Sequence, residues 1–229
     1  NAWLANQGAA VATDACSGVT WTYAIVDTIK LCGKTQAITV NFTATDACGT
    51  SAMKQATSTT VNTTGPQFVV EAQDLTVNCD GNGNTNDLMA WLNTYGGANA
   101  VKACSLDMTW TNDFKGLTKA CGSTGSTVVT FKVTDSCGNV SATTATFTIV
   151  DTIAPVFTTN LPKDITLECS ALLPEAAVLN ATDLCGTAEV SFKEERVNGN
   201  CENNYQLVRT WTATDACGNA QVHVQTITI

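Results

Sequence analysis

The chain has 229 residues, 44% of them hydrophobic, which is material for two or three small cores and not one large one. Its formal net charge of −9, with 11 Lys and Arg against 20 Asp and Glu, argues against nucleic acid as a partner, because phosphate contacts need clustered cations. Eleven cysteines without one Cys-x-x-Cys point to disulfides made in an oxidising compartment and away from zinc or redox chemistry.

No apolar run approaches the length of a membrane span, so no membrane insertion is expected. No stretch resembles a signal peptide, and the sequence reads as part of a longer precursor whose export signal lies elsewhere.

In chain order, Ala2-Trp3-Leu4 has a counterpart 88 residues on in Ala90-Trp91-Leu92, and Cys16 matches Cys104 at the same offset. A strand at Val19-Thr20-Trp21-Thr22-Tyr23 precedes a second at Val40-Asn41-Phe42-Thr43-Ala44-Thr45, which runs into Asp46-Ala47-Cys48-Gly49. That last pattern returns at 129–139, ending Asp135-Ser136-Cys137-Gly138-Asn139, and at 209–219, ending Asp215-Ala216-Cys217-Gly218-Asn219. In each copy an aromatic residue (Phe42, Phe131, Trp211) stands four positions before the Asp. Period-two alternation on both sides of a Gly-containing turn predicts a β-hairpin three times over. The chain is a repeat protein.

Two short linkers, 60–65 and 150–155, each lead into or end in proline, which fixes φ and makes a stiff hinge. They divide the chain into repeats at 1–64, 65–152 and 153–229, the first without its opening strand and first cysteine. Repeat 2 opens with the strand Asp74-Leu75-Thr76-Val77-Asn78-Cys79, and repeat 3 with Asp164-Ile165-Thr166-Leu167-Glu168-Cys169. An insertion at 80–97 carries Asn86-Asp87-Leu88-Met89-Ala90-Trp91-Leu92, a short helix closed by Gly96-Gly97; the first repeat is expected to share it. Several short strands per repeat without a helical period predict an all-β chain of antiparallel sandwiches.

The cysteines of repeat 3 stand at even gaps of 16. A straight strand of nine residues spans about 25 Å or more, whereas bridged Cα atoms lie within about 7 Å, so Cys201 cannot reach Cys217. Same-end turns of facing strands can meet, which predicts Cys185–Cys217 and Cys169–Cys201. Equivalence between repeats then gives Cys104–Cys137, Cys79–Cys121 and Cys16–Cys48, with Cys32 left over. These are structural staples, since the only histidine, His223, sits mid-strand without a catalytic partner.

The segments Ala181-Thr182-Asp183-Leu184-Cys185-Gly186, 212–219 and Asp151-Thr152-Ile153-Ala154-Pro155-Val156-Phe157 resemble hyalin-type (HYR-like) repeats of the four-cysteine kind found in large surface adhesins of gliding Bacteroidota. The resemblance implies Ig-like sandwiches in a tandem array, outside the cell and on its surface, serving adhesion or gliding and exported by the type IX route. The partners it implies are neighbouring repeats of the same chain and, in a binding role, polysaccharide or solid surfaces. The Asp-Thr-apolar sequences at Asp27-Thr28-Ile29 and Asp151-Thr152-Ile153 then make Thr28 and Thr152 candidate O-glycan acceptors.

Three further groups of residues have two readings each. Trp21 and Trp110 either pack in the core beside a turn disulfide, the reading expected here, or stack on a sugar. Trp91 and Tyr95, on the insertion, would favour a ligand-binding module if exposed and a stalk if buried. Asp74, Asp151 and Asp164 flank the repeat junction and are candidate calcium ligands, although no cofactor is required. The Asp residues of the Cys turns are explained more simply as acceptors of turn N–H groups.

Overall fold

Alternation before and after each Asp-x-Cys-Gly turn is realised as three long hairpins, and these organise the computed structural model, which describes residues 2–15, 18–102 and 107–229. Strand accounts for 49% of the described residues and helix for 9%. Contacts divide it into two compact units, Asn1–Glu71 with Ala98–Asn112 and Phe131–Thr143, and Ala72–Gly97 with Asp113–Thr130 and Thr144–Ile229. Residues 65–152 therefore contribute to both units.

In the first unit, α1 (Ala2–Ala5) and a 3-10 turn precede a three-stranded antiparallel sheet of β1 (Thr20–Lys30), β2 (Gln36–Thr45) and β3 (Ser51–Thr60), with β2 central. Alternate residues Val40, Phe42 and Ala44 of β2 are buried, and Trp3 meets the Phe42 ring edge-on at 5.4 Å. β4 (Gln67–Val70) and β6 (Asn99–Val101) pair antiparallel. Phe68 of β4 packs on Trp110 of β7 (Met108–Asn112), ring centroids 6.0 Å apart. Trp21 lies opposite Ala44 on β2; both tryptophans are half-buried.

In the second unit, β5 (Leu75–Asn78) runs parallel to the end of β10 (Val140–Val150); β10 forms a hairpin with β9 (Gly125–Asp135), and both of these strands run through the two units. The short β8 (Thr118–Lys119) also pairs with β9. Between β5 and β6 the insertion folds as α2 (Thr85–Asn93), as expected but starting one residue earlier than the Asn-Asp signal. It buries Leu88, Trp91 and Leu92. Asn84, left-handed at φ 50, holds the loop into α2 through its amide, which donates to Asn78 O and Asp87 Oδ2 at 2.9 and 3.0 Å.

Residues 153–229 lie wholly in the second unit and show the sandwich plan. One sheet pairs β11 (Val156–Phe157) with β13 (Ala181–Thr182). The other is ordered β12 (Ile165–Thr166), β16 (Ala220–Thr228), β15 (Tyr205–Asp215), β14 (Ala188–Asn198), with β12 parallel to β16. The opening strand is thus split between two sheets, as in Ig-like sandwiches, and Phe157 meets the His223 ring across them at 6.5 Å. The inner face of β16 is His223, Gln225 and Ile227, while Val222 and Val224 point outward.

The three signature aromatics are at most 1% exposed, a burial worth about 1.5–3 kcal/mol each. Arg209, 5% exposed, is tolerated because it is paired and bonded: Nε donates to Glu194 at 2.6 Å and the other nitrogens to Pro174 and Glu175 carbonyls at 2.7 and 3.3 Å. Trp211 Nε1 donates to Ala177 O at 2.9 Å. Together they pin the proline-containing connection that stands where repeat 2 has α2.

Candidate functional site at the repeat junctions

Each Asp-x-Cys-Gly turn is built by its own carboxylate. Asp215 Oδ1 accepts the N–H groups of Cys217 and Asn219 at 2.8 and 2.9 Å, and Asp135 Oδ1 those of Cys137 and Asn139 at the same distances. Asp46 does the same for Cys48 and Thr50. The expectation that these aspartates serve the turn was right. Their second oxygens and the turn asparagines do more: Asn219 Nδ2 donates to Asp215 Oδ2 at 2.8 Å and to the linker carbonyl of Asp151 at 3.2 Å. Asn139 Nδ2 donates equivalently to Asp135 Oδ2 and to Asn62 O, and Asn62 returns a bond to Asp135. The turns at Asp135 and Asp215 therefore grip the linkers at 60–65 and 150–155.

The Asn139 amide, against the cost of partial burial, holds Asp135 below the usual carboxylate pKa, helped by the N–H groups of Asn139 and Cys137. At Asp215 burial pushes the pKa up, but the amide of Asn219 and the N–H groups of Asn219, Cys217 and Gly218 outweigh it, and the net shift is downward.

The turn at the other end of each repeat also carries a cysteine. Cys32-Gly33-Lys34-Thr35 and Cys121-Gly122-Ser123-Thr124 fold alike: the Thr N–H and hydroxyl both return to the Cys carbonyl, the hydroxyl at 2.6 Å in each. Thr35 and Thr124 are buried, 4% and 5% exposed. The structure joins these turns across the junctions. Cys32 is bonded to Cys137, with Cα atoms 5.0 Å apart, and Cys121 to Cys217, at 5.1 Å. Cys79 is bonded to Cys185, at 6.0 Å. Around that bond Ser123 N–H donates to Cys185 O at 2.7 Å, and Gly122 (φ 54) lies so close to Cys185 O that a Cβ there would collide with it.

The expected pairings Cys79–Cys121, Cys104–Cys137 and Cys185–Cys217 are therefore corrected: Cys79 is bonded to Cys185, Cys121 to Cys217 and Cys137 to Cys32. Among the described residues Cys48, Cys169 and Cys201 are free and exposed, so Cys169–Cys201 is not formed, and Cys32 has a partner after all. Cys16 and Cys104 lie outside the described residues, as does the Cys16 half of Cys16–Cys48. The physical reason lies in the strands. Cys79 and Cys121 sit at the end of repeat 2 where the chain leaves it (Cys79 N–H bonds Val150 O at 2.8 Å). Cys137 sits a strand of 11 residues away from Cys121's end. Strand length separates the two ends, as reasoned from sequence, but the same-end partner belongs to the neighbouring repeat.

Asp74, Asp151 and Asp164 are not brought together. Asp74 and Asp164 hold equivalent places in their repeats, accepting the N–H groups of Thr146 and Thr226 at 2.7 Å each. Asp151 instead approaches Asp215 on one side and Asp183 on the other, ligand atoms within 4.8 Å. The sulfurs beside them, of Cys217 and Cys185, are spent in disulfides, and the three carboxylates already accept N–H groups from Ile153, Cys185 and Cys217.

Trp91 is 5% exposed, packs on Phe147 at 5.5 Å, and donates Nε1–H to Gln73 O at 3.0 Å; Tyr95 is half-buried. No flat aromatic platform is offered by Trp91. Thr28 and Thr152 are exposed, Thr152 donating to Asn78 Oδ1 at 3.1 Å. His223 Nε2 lies 2.8 Å from Pro162 O and stacks on Trp211, so the single histidine is a packing residue.

Missed by sequence reading were the Thr of each Cys-Gly-x-Thr turn, the linker Asn62, and the asparagine amides that hold the linkers. The twice-repeated Cys-Gly-x-Thr was the available signal for the first of these.

The fold and the junctions define an all-β, disulfide-stapled tandem repeat of Ig-like sandwiches. Residues 157–229 match the family model described as a HYR-like domain with 4 cysteines. No curated protein matches the chain. Similar solved structures include Drosophila N-cadherin EC1-4 (11% identity, 92% of this chain and 66% of that one, TM-score 0.33). Human CDH23 EC21-23 (12%, 90% and 88%, 0.31) and Sidekick-1 immunoglobulin domains 1-5 (12%, 93% and 54%, 0.31) are also similar. Among the described residues no helix is long and apolar enough to cross a membrane.

Proposed function

We propose that the chain is a load-bearing, non-catalytic stretch of the extracellular stalk of a large bacterial surface adhesin, serving cell adhesion or gliding, with 1–64, 65–152 and 153–229 as its repeats. The observation that supports this is the covalent path. Force applied between Cys32 and Cys217 passes through the Cys32–Cys137 bond, back along the 16 residues to Cys121, and through the Cys121–Cys217 bond. At roughly 3.5 Å per residue that path extends to about 60 Å, whereas the 185 residues of free backbone would extend to about 650 Å. Such a covalent path transmits tension with little lengthening. Export by the type IX route to a Bacteroidota cell surface, and O-glycans on the exposed Thr28 and Thr152, complete the reading. Single-molecule pulling between residues 32 and 217 tests it: unfolding should release under about 100 Å when oxidised and several hundred ångströms after reduction. Long unfolding steps in the oxidised chain would refute a load-bearing role.

A further inference from the structure

The free thiols among the described residues are not scattered. Cys201 stands in the turn before β15, where Asn204 N–H returns to Cys201 O at 3.0 Å, as Thr35 and Thr124 return to Cys32 and Cys121. Cys169 follows β12 as Cys79 follows β5, 90 residues earlier, and both opening strands lie parallel to the last strand of their repeat. Cys48 occupies the Asp-x-Cys-Gly turn of Cys137 and Cys217, with the same carboxylate bonds. Every described counterpart of these three cysteines is bonded to a neighbouring repeat: Cys32 and Cys121 forward, Cys79 forward, Cys137 and Cys217 backward.

We propose that Cys169 and Cys201 are a two-point docking site for the leading end of another four-cysteine repeat, joined to β16 as β11 is joined to β10. Cys169 takes that repeat's second cysteine and Cys201 its fourth; Cys48 is the matching acceptor on the side of a preceding repeat. The partner is recognised by chemistry already used twice here: an Asp-x-Cys-Gly turn whose carboxylate fixes the Cys N–H and whose asparagine holds the linker. Exposure of all three thiols leaves them open to such a partner. Forming each bridge removes two thiol protons and two electrons. Both pass by thiol–disulfide exchange to a small-molecule disulfide such as oxidised glutathione, which is reduced to two thiols. The proposal rests on the junctions of the stalk reading and extends them to a rule for the array: two bridges per junction, always first to second and third to fourth.

The test is a longer chain in which residues 150–229 are repeated once after Ile229, refolded in glutathione redox buffer at high dilution and digested without reduction. The expected map joins Cys169 to the added counterpart of Cys185, and Cys201 to that of Cys217. Iodoacetamide labelling of both should fall to background, while the added counterparts of Cys169 and Cys201 label fully. In the C201S variant, the added counterpart of Cys217 should become labelled while the Cys169 bridge persists. Cys169 bonded to Cys201, or both still labelled beside intact Cys32–Cys137, Cys79–Cys185 and Cys121–Cys217, would overturn this inference alone. Disulfide-linked oligomers would overturn the same-chain partner. Loss of the three internal bridges would sink the stalk reading with it.

Discussion

Cys32 and Cys137 are 105 residues apart in sequence and 5.0 Å apart between Cα atoms, and they stand on either side of the linker at 60–65. The bond closes a loop that contains a whole linker, so the covalent unit of this protein is the junction. In the chain-entropy model a loop of about 100 residues is worth on the order of 4–5 kcal/mol.

A protease site placed in the linker at 61–65, cut in the folded protein, should leave the mass unchanged on a non-reducing gel. Reduction should then release two pieces. Release without reductant is the outcome that intra-repeat pairing demands, and it would contradict the junction bonds.

Gly122 and Gly138 both have positive φ, 54 and 82, but only Gly122 faces a neighbour's backbone, that of Cys185. Gly138→Ala should cost about 1 kcal/mol, the left-handed penalty alone, and Gly122→Ala roughly 2–3 kcal/mol. Chemical denaturation of the two variants compares them directly. Equal costs would mean that the Gly122 contact does not carry weight.

Folded Asp135 and Asp215 have pKa values below the ordinary 3.8. Their stabilisation is therefore fully present above the unfolded value and is lost as pH falls through the folded one. Denaturant midpoints should be flat from pH 7 to about 5 and fall below pH 4. In Asp215→Asn the fall should be shallower and the neutral-pH midpoint lower, because the turn N–H groups lose their charged acceptor. An unaltered acid limb in that variant would exclude Asp215 from it.

Trp91→Ala should lower stability by about 3–5 kcal/mol, as removal of a buried indole does, measured by urea unfolding. A change under 1 kcal/mol accompanied by lost polysaccharide binding would restore Trp91 as a ligand-contacting residue.

With Asp151, Asp183 and Asp215 already accepting N–H groups, excess EDTA should leave the melting temperature unchanged, read by calorimetry. A fall of several degrees, reversed by calcium and absent in Asp151→Asn, would assign a cation to that cluster.

Local pattern was enough for the three hairpins, the inserted helix and the buried aromatics Phe42, Phe131 and Trp211. These follow from neighbours in sequence: period-two alternation, the Asp that closes its own turn, and the glycine after each Cys. Strand length likewise told that Cys201 and Cys217 lie at opposite ends. Only the tertiary structure decided which cysteine each one meets, which carbonyl Asn219 holds, and that Asp74 and Asp164 serve strands while Asp151 sits among turns. The reason is that sequence fixes which end of a sandwich a residue occupies. What stands at that end is set by which residues remote in the chain the fold brings there, and a pattern of sequence neighbours does not carry that.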